Sequence, residues 1–287
     1  MDKETIESYD LKYGSSRLAL PDGGELYYER YGQGPPLTVV NNFFLISPLW
    51  KNFTKRVAHS TRILAYDLRN QGSSSVVEGD IPFSSLIDDL RDLLDGLGIE
   101  KTYLLGTSTS TLVCRDFALA YPERVRGMVL VGPLFCPYGS QRRKYLTRSW
   151  LNSLESGGTA GLFAHIFPLV YSDRTIETGG TPAYLALRER FLAVNSKAQL
   201  SQFLKASLTT DDDPQKLRRI TCPVLLMAGE ADFLSSPMSL AASCDLMPDA
   251  RLEIIDFAGH VPYFEATDRF EQLVQGFVEE IEARHAA

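Results

Sequence analysis

A hydroxyl, an imidazole and a carboxylate can together transfer an acyl group, and this sequence has one well-placed candidate for each. Ser108 lies in Gly106-Thr-Ser-Thr-Ser110, after the apolar run Tyr103-Leu-Leu and before a helical stretch that ends at Tyr121-Pro122. A strand, a sharp turn and a helix in that order hold a serine hydroxyl clear of the backbone. The residues two before and two after it must be small, because the turn leaves no space for larger side chains; Gly106 and Ser110 meet that demand. Ser110 departs from the pattern G-x-S-x-G, so taken alone the five residues also fit a polar residue at a strand end.

The partners come later in the chain. Asp232, in Gly229-Glu-Ala-Asp, follows the run Val224–Ala228, and His260, in Phe257-Ala-Gly-His-Val-Pro-Tyr-Phe-Glu, follows Leu252–Ile255. Each stands just past a strand-like run, so all three are expected at one edge of a sheet, in the order Ser, Asp, His. Glu230 and Asp256 are rival acids set less well at the strand end. Among the other histidines, His59 and His285 lie in polar surroundings and read as solvated, whereas His165 sits among apolar residues and is expected to pack. A serine hydroxyl attacks a carbonyl only when a base takes its proton, and a neutral imidazole held by a carboxylate supplies that base.

The elements that must position these groups follow from periodicity. Residues 37–40, 63–66, 103–105, 128–131, 224–228 and 252–255 are continuous apolar runs rather than alternating ones, as strands buried on both faces must be. Between the second and third runs Leu86, Ile87, Leu90, Leu93, Leu94 and Leu97 mark an amphipathic helix, with Ser85 and Asp88 spaced as a capping box. Phe270, Leu273, Val274, Phe277, Val278 and Ile281 repeat that spacing near the end of the chain. Alternating strands and helices define an α/β class with a mostly parallel, doubly wound sheet. Glu25–Tyr31 alternates after the turn signal Pro21-Asp-Gly-Gly, which predicts an antiparallel hairpin at the start of the sheet. The rhythm breaks between about 134 and 219, where only helical patterns occur and Asp211-Asp-Asp-Pro is a polar breaker. The expected organisation is a core of residues 1–133 and 220–287 with a helical lid, 134–219, inserted in it.

With those motifs in order, the sequence resembles the α/β-hydrolase superfamily over nearly its whole length. Tyr66-Asp-Leu-Arg-Asn-Gln-Gly-Ser-Ser is similar to the family's D-x-R-G-x-G-x-S loop, and Tyr121-Pro-Glu-Arg-Val follows the helix as it does there. The resemblance implies structural roles for Asp67, Arg69 and Gly72, and an oxyanion hole made of the backbone N–H groups of Phe43 and Thr109. Typical members carry His-Gly where this chain has Asn41-Asn42; asparagine tolerates positive φ, so the turn can form. The lid implied by the family would bring Phe44, Phe135, Trp150, Phe163 and Phe167 to a substrate pocket, with packing inside the lid as the alternative for most of them. The basic cluster Arg142-Arg-Lys reads as a solvated helix face or a contact for an acidic carrier protein.

Composition narrows the function. With 44% hydrophobic and 23% charged residues the chain is ordinary for a globular protein, and its net charge of −7 disfavours nucleic acid and anionic membranes as partners. No run approaches the roughly eighteen apolar residues of a membrane span, and the N-terminal residues lack a signal-peptide order, which sets the cytoplasm as the expected location. Cys114, Cys136, Cys222 and Cys244 form no metal spacing and are expected as small buried residues; no phosphate loop or G-x-G-x-x-G turn occurs, so no metal or cofactor is expected. Three readings remain: a serine hydrolase of a small ester, lactone or thioester; an acyltransferase using a carrier-protein or coenzyme A thioester, to which Asn41-Asn42 gives weight; and a noncatalytic binding protein on the same fold. Aspartate-nucleophile haloalkane and epoxide chemistry is excluded by serine at 108.

Overall fold

All six continuous apolar runs fall within strands of one eight-stranded sheet in the computed structural model, which describes residues 2–9 and 11–286. The strands are β1 (Arg17–Ala19), β2 (Glu25–Tyr31), β3 (Pro36–Val40), β4 (Arg62–Tyr66), β5 (Thr102–Thr107), β6 (Val125–Val131), β7 (Val224–Gly229) and β8 (Ala250–Ile255), arranged β1-β2-β4-β3-β5-β6-β7-β8. From β4 onward the pairs are parallel; β1–β2 and β2–β4 are antiparallel. The predicted hairpin is β1–β2, closed by the Leu20 N–H donating to Gly24 O at 2.7 Å. β5 and β7 are buried at every position, as strands covered on both faces of a sheet are. β8 differs: as an edge strand it is half-buried along most of its length.

Helices cover both faces. α1 (Lys3–Ser8) precedes the sheet, α2 (Phe83–Gly96) crosses from β4 to β5, and α3 (Ser110–Ala120) follows β5. Leu86, Leu90, Leu93 and Leu94 of α2 are buried as predicted, but the helix starts at Phe83 with Pro82 before it, so Ser85 lies in the first turn and makes no capping box with Asp88. Proline's fixed φ, here −64°, already presents the chain at a helical entry angle. Between β6 and β7 stand α4 (Gln141–Val170), α5 (Asp173–Val194) and α6 (Lys197–Leu208). Gly158 and Gly180, at φ of 63° and 55°, break α4 and α5 into angled pieces. α7 (Pro237–Cys244), α8 (Pro262–Glu265) and α9 (Thr267–Ala286) complete the chain, with Phe270, Val274, Phe277, Val278 and Ile281 of α9 buried. Among the described residues, no helix is long and apolar enough to cross a membrane.

A buried ion triad ties the inserted helices to the core. Asp212 accepts from Arg143 of α4 and Arg115 of α3, both at 2.7 Å, and the three side chains are at most 4% exposed. The basic cluster divides: Arg143 is buried, against the expectation of a solvated face, whereas Arg142 is exposed as expected and donates to the carbonyls of Phe233 and Leu234. The polar breaker is where the counter-charge sits. Of the cysteines, Cys114 and Cys222 are buried, the latter with its thiol pushed up to about 12 by burial, while Cys136 and Cys244 are only half-buried.

Removing one member of such a group leaves uncompensated buried charge. Asp212→Ala is expected to lower stability by about 3–5 kcal/mol in urea unfolding. Asp211→Ala, which removes a 70% exposed carboxylate, is expected to stay within about 0.5 kcal/mol. A loss at Asp212 no larger than at Asp211 would contradict a dry triad.

Candidate active site

The turn after β5 sets Ser108 at φ +53°, a left-handed conformation that serine rarely adopts. Three bonds hold it there: the Ser108 N–H donates to Val131 O of β6 at 2.8 Å, the Thr111 hydroxyl donates to Ser108 O, and the Thr107 N–H donates to the Ser110 hydroxyl at 2.9 Å. The last bond explains the serine that replaces the second glycine, since Ser110 Oγ also donates back to Thr107 O and closes the turn through its side chain. Position 106 has no such freedom. A Cβ there would lie 2.6 Å from Cys114 Sγ.

His260 Nε2 lies 2.8 Å from Ser108 Oγ, and its Nδ1 lies 2.9 Å from Asp232 Oδ2. All three residues are at most 7% exposed. The other oxygen of Asp232 accepts the N–H groups of Leu234 and Ser235, both at 2.8 Å, which fixes the carboxylate plane. Glu230 and Asp256 are exposed, and Glu230 accepts only from the Phe257 N–H. His59 and His285 are exposed as expected; His165 is exposed too, its ring bonded to the Ser149 hydroxyl, because its side of α4 faces outward.

The imidazole is set by contacts that periodicity did not reveal. The His260 N–H donates to Val170 O, the last residue of α4, at 2.8 Å. Glu265 then grips both sides: one oxygen accepts the N–H and hydroxyl of Ser172, each at 2.8 Å, and the other accepts the Gly259 N–H at 2.6 Å. The chains approach so closely that a Cβ on Gly259 would lie 2.7 Å from Ser172 N. Gly132, past the end of β6 at φ +54°, is pressed against the ring, and a Cβ there would lie 2.7 Å from His260 Cε1 and 3.3 Å from Asp232 Oδ2. The available signals were Gly132-Pro133 at a strand end and the carboxylate five residues after His260.

The loop after β3 faces Ser108. The Phe43 N–H donates to Thr109 Oγ1 at 3.3 Å, so the two residues expected to form an oxyanion hole are adjacent. Neither Asn41 nor Asn42 adopts positive φ, contrary to expectation; their side chains order the loop instead. Asn41 accepts the Trp50 indole N–H at 2.7 Å and donates to Asp67, while Asn42 donates to Thr107 Oγ1 at 2.8 Å and accepts the Phe44 N–H at 2.9 Å. Asp67 gathers donors from Ser47, Ser73 and Asn41, and burial nonetheless pushes its carboxyl up to about 6. A Cβ on Gly72 would strike that carboxylate at 2.1 Å, and Arg69 pairs with Asp89 and Asp22.

A cavity opens over Ser108 and His260. Its walls include Asn42, Phe44, Trp150, Phe163, Phe167, Leu234 and Tyr263. Phe135 is not among them: it lines a separate cavity with Cys136, Tyr138 and Arg142, on the other side of the segment that leaves β6. No group of three or more histidine, cysteine, aspartate or glutamate side chains placed to hold a metal ion occurs among the described residues.

Sheet, elbow and facing loop together define an α/β-hydrolase architecture. The model of the alpha/beta hydrolase family matches residues 41–273, and the chain belongs to that family of hydrolase enzymes. The sequence is 24% identical to 3-oxoadipate enol-lactonase 1 of Acinetobacter baylyi, covering 86% of this chain and 90% of that one. It is 23% identical to the pimeloyl-[acyl-carrier protein] methyl ester esterase of Aeromonas hydrophila, covering 87% and 98%. The fold superposes on a thermophilic esterase from Thermogutta terrifontis with a TM-score of 0.83 at 24% identity, covering 93% of this chain and 99% of that one.

Gly132→Ala should push the ring of His260 off both partners. The expected outcome is loss of the downfield proton resonance of the Nδ1–H bonded to Asp232, with the thermal midpoint within a few degrees of wild type. A displacement near 1 Å costs about 10²-fold in a reaction that uses the ring. An unchanged resonance would show that the backbone at 132 yields instead.

Proposed function

We propose that this protein is a serine hydrolase that cleaves a carboxylic ester, lactone or thioester of a small organic molecule through an acyl-enzyme on Ser108. The observation that carries the reading is the unbroken chain from Ser108 Oγ to His260 at 2.8 Å and from His260 to Asp232 at 2.9 Å. A neutral His260 takes the hydroxyl proton as Ser108 attacks the carbonyl carbon, and Asp232 stabilises the imidazolium that forms. The oxyanion is received by the N–H groups of Phe43 and Thr109, each such donor contributing about 10²- to 10³-fold in rate. In the free protein Thr109 Oγ1 accepts from the Phe43 N–H, so the substrate oxygen takes that donor over. Collapse of the tetrahedral adduct breaks the bond to the leaving group, which departs with the proton from His260, and water repeats the sequence to free the acid and Ser108.

Residues 134–219 serve as the lid, supplying Trp150, Phe163 and Phe167 to the substrate pocket opposite Phe44. The relatives named as a lactonase and a methyl ester esterase support an oxygen ester or lactone as the substrate class. Acyl transfer to a second substrate would use the same acyl-enzyme. Asn41 and Asn42, which gave that reading its weight, are engaged in ordering their own loop, and hydrolysis is the better-supported outcome.

Wild-type protein is expected to hydrolyse 4-nitrophenyl acetate and to be labelled by a fluorophosphonate probe. Ser108→Ala should abolish labelling and lower kcat by about 10⁶-fold, and Asp232→Asn by about 10⁴-fold. Undiminished labelling of Ser108→Ala would remove Ser108 from this role. Absence of turnover with every activated ester would favour a binding protein, and an acyl product on an added alcohol or thiol in place of free acid would favour a transferase.

A further inference from the structure

Behind the cavity over Ser108 lies a second one, and Phe44, Phe163, Phe191, Val261 and Tyr263 are walls of both. Three of these rings form the partition, with centroids 5.3 Å apart for Phe163–Phe191 and 5.7 Å for Phe44–Phe191. The far chamber runs past Leu187 and Val194 of α5 and ends at Ile6 and Tyr9 of the N-terminal segment. Every wall residue but one is aliphatic or aromatic. The exception, Arg190, donates its guanidinium N–H groups to the carbonyls of Tyr9 and Glu7, which anchors it to the end of α1. Ser108 and His260 thus stand in the nearer of two chambers that share a wall of rings, and the far one offers no carboxylate, amide or aliphatic hydroxyl side chain.

We propose that this far chamber binds an unbranched hydrocarbon arm of the substrate, so that the preferred ester or thioester carries a chain long enough to pass the Phe163–Phe191 partition. The proposal rests on the reading of Ser108 as the nucleophile. Burying a methylene in such a space is favourable. The chamber therefore selects for chain length. Leu187 and Val194 touch only the far chamber, so filling it at either position leaves the reacting groups alone.

The test uses the full chain with two series of esters: 4-nitrophenyl acetate, butanoate and octanoate for the acyl arm, and ethyl, butyl and octyl acetate for the alcohol arm. In one series kcat/KM is expected to rise by about threefold to fourfold per added methylene, and that series identifies which arm enters the chamber. Leu187→Trp and, independently, Val194→Phe should abolish the rise while leaving acetate hydrolysis within twofold. A flat or falling profile in both series, or equal losses on short and long chains in both variants, overturns the proposal. Calorimetric titration with octan-1-ol gives a second readout that needs no chemistry. If no ester is turned over yet wild type binds octan-1-ol and Leu187→Trp does not, the nucleophile reading fails and the chamber stands; no binding and no chain-length rise overturn the chamber itself.

Discussion

The imidazole of His260 reaches both partners because its loop is clamped to a segment outside the sheet. Glu265 holds the Gly259 N–H with one carboxylate oxygen and Ser172 with the other, while the His260 N–H donates to the carbonyl at the end of α4. A carboxylate that accepts from several backbone N–H groups at once is a strong, directional tether. The consequence is geometric: the junction between α4 and α5 and the ring of His260 cannot move independently. The inserted helices therefore share one joint with the sheet edge that carries Ser108, and the walls they supply are set relative to Ser108 by that joint.

The same economy governs the other side of the site. A left-handed serine is strained, and the strain persists only where neighbouring contacts over-determine it. Here β6 accepts from the Ser108 N–H, and Ser110 closes the turn with a hydroxyl where a glycine would have relied on backbone freedom alone. The loop after β3 is ordered by amide side chains anchored on Asp67 and Thr107, so the Phe43 N–H is aimed without a positive φ at Asn41 or Asn42. In the free protein that N–H is held against Thr109 Oγ1, and under the proposed mechanism it exchanges this acceptor for the substrate oxygen.

The six parallel strands, the helices α2 and α9 and the placing of Ser108, Asp232 and His260 past strand ends were legible because each is written in local sequence: continuous apolar runs, a 3.6 period, and polar residues just past strand ends. What escaped depends on approach between segments far apart in the chain. Gly132 looks like any strand-end glycine until His260 is placed 128 positions later beside it, and Glu265 looks like a surface carboxylate until α4 ends against it. Arg143 reads as solvated because its partner, Asp212, lies on the far side of two helices. His165 escaped for a related reason: composition shows that an insertion is aromatic and apolar, but which side chains face inward is set by kinks at Gly158 and Gly180 that disrupt the helical phase, while Phe135 lies in the loop before α4, where no period assigns a side. The Ser85–Asp88 capping box lost to a proline already holding the helix entry.

Polar and apolar surface are segregated in this site to an unusual degree. Every hydrogen-bonding group with a part in the proposed chemistry lies on the sheet edge and its adjoining loops, and the side chains from α4 and α5 that face them are chiefly rings and aliphatics. Under the proposed mechanism a carbonyl gains two N–H donors by turning toward Phe43 and Thr109, while the helical wall meets the rest of the substrate chiefly with carbon. Water held against that wall makes fewer hydrogen bonds than in bulk, and its displacement by an apolar group is favourable. Binding at the wall and orientation at the edge are then two effects of one partition of surface, and a change that added a polar group to the helical wall would weaken both, even with all three reacting residues untouched.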